Sequence, residues 1–186
     1  MEKVRLRFAH VSEIVGNNDL AVLALTDMES EWQLTIVCDR AMAVQLELRA
    51  KSVPISDIML PEVVGRLLTQ WGGLDLEILI YNLYDGQYQT AVVNKQTQDM
   101  MPIRASDGVL LHVATGIPLF VEKSLMARQS VRYSAKAQGV AIPVNTLNSE
   151  MLETALQKAI NEENYELASQ IRDEKLRRSA SKKQPE

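Results

Sequence analysis

The hydrophobic period changes along this chain, and that change limits the folds open to it. Val4, Leu6 and Phe8 alternate with Lys3, Arg5 and Arg7, the period-2 pattern of a half-buried strand. Leu20 to Leu25 is a continuous apolar run that reads as a more buried strand, and Gln33 to Cys38 reads as a third. Residues 39–51 then switch to helical spacing, with Ala43, Leu46 and Ala50 on one face and Asp39 as N-cap. Val53-Pro54 breaks this helix, and Pro61 opens the next at its first turn. Val63/Val64, Leu67/Leu68 and Trp71 are its expected buried stripe, and Gly72-Gly73 its end.

The alternation returns at 74–80, and Asp85-Gly86 predicts a tight hairpin leading to a returning strand at 88–93. Ser106 is the expected N-cap of a further helix, with Asp107 suited to its positive first turn. Val109, Leu110, Val113 and Ala114 form its stripe, Gly116 ends it, and Leu119 to Val121 is a last short strand. Strands and helices mixed in this way predict an α+β domain over residues 1–134. Residues 135–149 read as a linker.

Beyond it only helical spacing remains. Leu152, Ala155/Leu156 and Ala159/Ile160 form one stripe; Tyr165, Ala168 and Ile171 form a second after an interruption at 161–164. This predicts a helical hairpin over 150–180, followed by a polar, disordered tail at 181–186. Asp173–Arg177 and Glu174–Arg178 have the favourable i,i+4 order. Two helices alone bury too little to overcome their ordering entropy, so the hairpin is expected to dock on a partner surface.

Composition removes several function classes. Two histidines and one cysteine leave no zinc site of conventional spacing. His112 reads as a structural or surface residue, and Cys38 as small core filler. No glycine-rich phosphate loop or dinucleotide fingerprint is present. With 20 Lys+Arg against 24 Asp+Glu the net charge is −4, which gives no global attraction to nucleic acid. The one dense basic run is Arg172 to Lys183, a candidate for phosphate capture beside the commoner reading of a solvated helix end. The lone cysteine, and an N-terminus without an apolar signal region, fit the cytoplasm and no membrane.

What chemistry remains is carboxylates with a divalent cation. Asp57, Asp85, Asp99 and Asp107 are the candidates, and Arg104-Ala105-Ser106-Asp107 is the sharpest cluster. A cation next to a helix N-terminus is unfavourable, so capping does not explain Arg104, which suits pairing with Asp107 or holding a phosphate.

The stretch Met101 to Val121 resembles the signature of the bifunctional nuclease domain family through Arg104, Ser106, Asp107, Leu111, Pro118 and Val121. Leu34-Thr35-Ile36, Pro54-Ile55 and the hairpin Tyr84 to Tyr88 stand at matching spacings upstream. The chain departs from the family where it has Pro102 for an Asp, Ala105 for a proline, Met42 for a Glu and Val53 for an Arg. The resemblance implies an α+β fold, a homodimer, and hydrolysis of DNA and RNA. It assigns catalysis to Asp107, Arg104 and Ser106, with Asp107 holding Mg²⁺ or Mn²⁺. The lost acids carry the alternative of a catalytically degenerate scaffold.

The run Glu163 to Asp173 resembles the UVR motif of the UvrB and UvrC proteins, through Tyr165, Glu166, Ala168, Ile171, Arg172 and Asp173. That resemblance implies a protein partner bound through residues 150–180, with Leu156, Tyr165, Ala168, Ile171, Arg172 and Asp173 as contacts.

Overall fold

The computed structural model describes residues 2–14, 17–51, 57–133, 144–147 and 149–181. The chain divides into two compact units. The first comprises Met1–Asn82 and Tyr88–Ala141; the second comprises Leu83–Gln87 and Ile142–Glu186.

An eight-stranded sheet organises the first unit. Its strands are β1 (Lys3–Ile14), β2 (Asn17–Asp27), β3 (Trp32–Asp39), β4 (Leu76–Tyr84), β5 (Gln87–Asn94), β6 (Met100–Arg104), β7 (Leu119–Glu122) and β8 (Val131–Arg132). They lie in the order β6-β5-β4-β7-β1-β2-β3-β8. The β4–β7 pair is parallel, whereas β7, β2 and β3 follow β1 in antiparallel ladders, so the sheet is mixed. A parallel pair needs a crossover, and helix α3 (Ala105–Thr115) lies in the connection that returns the chain to β7.

Register explains the core. Ile78 opposes Leu119, which opposes Leu6; Ile80 opposes Val121, which opposes Val4. The alternation therefore sends one apolar row through three strands, and Leu6, Ile78, Ile80, Leu119 and Val121 are at most 1% exposed. Helix α3 approaches this face closely. A Cβ at Gly108 would lie 3.1 Å from Ile78 Cγ2 and 3.3 Å from Thr90 Cγ2, so glycine permits the contact.

Local signals behave as their chemistry predicts at several points. Asp39 caps α1 (Arg40–Ala50) by accepting from Met42 N at 2.8 Å. Pro61 sits in the first turn of α2 (Leu60–Arg66). Asp85 and Gly86 both take positive φ, +49° and +76°, as a primed hairpin turn requires. Gly116 ends α3 in the left-handed region at φ +76°.

Only part of the expected stripe of α2 turns inward, at half-buried Val64 and Leu68. Val63, Leu67 and Trp71 are 37%, 41% and 83% exposed, and the buried positions are Glu62 and Gly65. Two contacts set this rotation. Glu62 takes a bidentate bond from buried Arg49 of α1, at 2.6 and 2.8 Å. Gly65 admits α3, since a Cβ there would meet Thr115 Cγ2 at 2.0 Å. A π-helical turn, Leu67–Trp71, then carries Trp71 outward before Gly72. Strands β6 and β8 and helix α4 (Lys123–Gln129) were not expected from the sequence.

In the second unit, α5 (Ser149–Asn161) and α6 (Tyr165–Ser181) form the expected hairpin. Asn164 N bonds Ala159 O at 2.8 Å behind Glu163 at φ +56°, which ends α5. Asn164 Oδ1 then accepts from Leu167 N at 3.2 Å and caps α6. Leu152, Ala159, Ala168 and Ile171 are the buried core, joined by Val144, Leu147, Ala155 and Leu156. Val144–Thr146, inside the expected linker, is thus a 3-10 turn packed on the hairpin. Positions 134–143 and 148, Val53-Pro54 and the tail from 182 lie outside the described residues.

Candidate functional site

Three side chains from separate elements meet at the end of α3. Asp39 closes β3, Arg104 closes β6, and Asp107 lies in the first turn of α3. Arg104 Nε donates to Asp107 Oδ2 at 2.9 Å and Nη2 donates to Asp107 Oδ1 at 3.0 Å. Its remaining nitrogen, Nη1, donates to Asp39 Oδ2 at 3.2 Å. Asp39 Oδ1 is the oxygen that caps α1. One planar guanidinium therefore bridges two carboxylates, and each of their four oxygens carries a bond.

The three side chains stay accessible, 61% exposed at Arg104, 45% at Asp39 and 39% at Asp107. Two carboxylates and one guanidinium leave the cluster one formal negative charge. The Asp107 hydrogen bond, then the charges of Asp107 and Asp39, raise the Arg104 pKa above its ordinary value against a partial desolvation. Arg104 is therefore a fixed cation here, and it forms the expected pair with Asp107.

Ser106 does not cap the helix. Arg104, extended at φ −62° and ψ 137°, is the N-cap residue, so Ser106 is the second helical residue and is 3% exposed. Its position gives it no open approach to a ligand. Asp39 was legible in the sequence only as a cap. Nothing within β3 or α1 marks it as a partner of Arg104, because the link runs through the tertiary fold.

Two departures from the family pattern fall beside this cluster. Met42 supplies the N–H that Asp39 caps, and its side chain is buried. Pro102 lies two residues before Arg104 on β6, and therefore on the same face of the strand.

Asp57, Asp85 and Asp99 are not gathered with Asp107; the described residues contain no group of three or more Asp, Glu, His or Cys able to hold a metal. Asp85 instead accepts from Arg178 at 3.4 Å within the second unit, and Asp99 accepts from Thr97 at 2.6 Å. The donor set at Arg104 is two carboxylates of net negative charge. Mg²⁺ keeps several waters and is commonly bound by one or two carboxylates together with substrate phosphates. All four oxygens of Asp39 and Asp107 already carry a hydrogen bond, three of them from Arg104.

His112 is a structural residue. Its Nδ1 contacts Ile117 O at 2.7 Å, and burial holds its pKa below the ordinary value despite that bond. Burial pushes the Cys38 thiol up to about 12, as expected of core filler and not of a nucleophile.

On the hairpin, the expected partner contacts separate into two groups. Ala168 and Ile171 are 2% and 1% exposed; they close the hairpin on itself and present no partner surface. Leu156 is half-buried beside them. Tyr165 is 69% exposed, and Arg172 and Asp173 are exposed. Three cations of the basic run are paired. Lys175 pairs with Glu153, Arg177 with Glu174 at 2.8 Å, and buried Arg178 with Glu174 at 2.7 Å. Burial pushes the Glu174 carboxyl up, but the hydrogen bonds from Arg177 and Arg178 outweigh it and leave its pKa below the ordinary range.

A mixed-sheet α+β unit carrying an Arg–Asp cluster at a helix start, followed by a helical pair, defines a two-part protein. The bifunctional nuclease domain matches residues 23–134, and the UvrB/uvrC motif matches residues 146–174. The chain belongs to the bifunctional nuclease domain family and carries a UVR motif, a protein-interaction module. No curated protein matched the chain. No helix among the described residues is long and apolar enough to cross a membrane.

Proposed function

We propose that the chain is a nuclease whose Asp39, Arg104 and Asp107 bind and cleave a phosphodiester with the help of Mg²⁺ or Mn²⁺. The observation that carries this reading is the exposed bridge of Arg104 between Asp39 and Asp107. A guanidinium that holds carboxylates through parallel N–H groups has the geometry to hold a phosphate in the same way. Arg104 therefore orients the phosphodiester, and the two aspartates become the acidic groups beside it. A divalent cation held by Asp39 and Asp107 would supply charge neutralisation and an ordered water. The protein acts as a homodimer in the cytoplasm. Ile58 and Leu60 of the first unit, 76% and 75% exposed, are apolar surface suited to a second copy.

Cleavage of single- and double-stranded DNA and of RNA tests this, with either metal and with chelator. Asp107→Asn, Asp39→Asn and Arg104→Ala should each lose about 100-fold or more while staying folded. Full activity in folded Asp107→Asn would sink the assignment.

A second reading is a scaffold that recruits a protein partner through the hairpin. Exposed Tyr165, with Ile160 and Leu176 at 41% and 62%, favours it. It predicts a complex captured by the full chain and lost on Tyr165→Ala.

A further inference from the structure

We propose that two copies of this chain meet through the outward face of α2 and of the π-helical turn that continues it, with Leu60, Val63, Leu67 and Trp71 as the contact. This rests on the homodimer reading and assigns it a surface.

The amphipathicity of this helix is inverted. An ordinary surface helix keeps its polar residues outside and its apolar stripe against the core. Here the buried positions of α2 are Glu62, held by Arg49, and Gly65, which admits Thr115. Leu60, Val63, Leu67 and Trp71 instead face solvent, and at 3.6 residues per turn they fall within about a quarter of the helix circumference. Ile58, just before the helix, is exposed as well. The buried Arg49–Glu62 pair fixes the helix in this rotation. An apolar face is thereby held in water, at a cost that burial against a partner recovers.

Area and charge point to a second copy as the occupant. Five side chains this exposed present on the order of 600 Å², the upper end of the about 300–600 Å² typical of a monomer's largest apolar patch. A standard interface takes about 800 Å² from each partner, which this patch supplies together with the polar residues at its edge. Trp71, the most exposed of the five, is of the residue type that anchors interfaces. Asp57 and Arg66 at the edge are exposed and opposite in charge, so the patch carries no net charge. It therefore meets its own copy without like-charge repulsion, as a twofold contact of one surface with itself requires.

Sedimentation equilibrium of the full chain over a range of about 1–100 µM tests this, since mass action sets the dimer fraction. The unaltered protein should dimerise, and Trp71→Glu and Leu60→Glu should each weaken the dimer about 100-fold or more, as loss of a central anchor does. Both positions are exposed, so circular dichroism and Tm should stay those of the parent. Tyr165→Glu, in the second unit, should leave the dimer intact. A second readout leaves the face unaltered. Trp32 is the other of the two tryptophans, so in Trp32→Phe the emission reports Trp71 alone. It should shift to shorter wavelength as rising concentration buries Trp71. A dimer that survives both glutamate variants on α2, with Trp71 emission unmoved, would overturn the assignment and leave the homodimer reading standing on another surface. A monomer at every concentration would overturn both.

Discussion

Arg104 and Asp39 are 65 residues apart in the chain, and Nη1 of the first lies 3.2 Å from Oδ2 of the second. They come from opposite parts of the sheet, since β6 is an edge strand and β3 lies next to the other edge. Helix α3 packs against both strands, and so brings the two ends together. The cluster is therefore a property of the whole first unit, although its Arg104–Asp107 half is local.

Arg104→Ala should separate function from stability. Exposed ion pairs contribute roughly 0–1 kcal/mol, even where a bidentate bond improves the geometry. The variant should unfold within about 1 kcal/mol of the parent in urea while cleavage collapses. A loss of more than about 3 kcal/mol would show that Arg104 is chiefly structural.

The Arg49–Glu62 pair behaves differently, because its side chains are 3% and 8% exposed. Arg49 also donates to Gln45 O at 2.8 Å. Glu62→Gln or Arg49→Met leaves a charge buried without its counter-ion, which costs about 3–5 kcal/mol. Replacing both by apolar residues of similar volume should recover most of that loss. Denaturant unfolding of the singles and the double mutant measures the coupling.

His112 should make the first unit acid-sensitive. Burial lowers its pKa in the folded state, so between that value and the unfolded value of about 6.5 only the unfolded chain binds the proton. The unfolded state then holds more protons and stability rises with pH. This contribution is complete above about pH 6.5 and is lost as pH falls toward the folded pKa. His112→Gln should flatten the Tm profile below about pH 6.5; an unchanged slope would place the acid sensitivity elsewhere.

Within the hairpin, Ile171→Ala and Tyr165→Ala should fail in different ways. Ile171 is 1% exposed in the core, and its truncation should cost about 2–4 kcal/mol and melt the helical pair. Tyr165 is mostly exposed, so its truncation should leave helicity intact and reduce partner capture alone. Circular dichroism beside a pull-down separates the two effects.

What the sequence alone determined is local. The Asp39 cap, the positive-φ turn at Asp85-Gly86, the Gly116 terminus and the α5–α6 stripes all arise from hydrogen bonds and faces spanning a few residues. Such interactions leave a fixed spacing in the chain. The Arg104–Asp107 pair was legible for the same reason, being only three residues apart.

The tertiary structure decided the rest. Asp39 joined Arg104 because α3 spans β3 and β6, a relation that no local spacing encodes. Val63, Leu67 and Trp71 of the α2 stripe pointed outward because Arg49 claimed Glu62 and Gly65 fitted Thr115. Ser106 was buried once Arg104 took the cap position. Asp39 and Gly65 were each placed by a partner distant in sequence. Burial and long-range charge pairing outweigh the few tenths of a kcal/mol per residue, roughly, by which local preference differs.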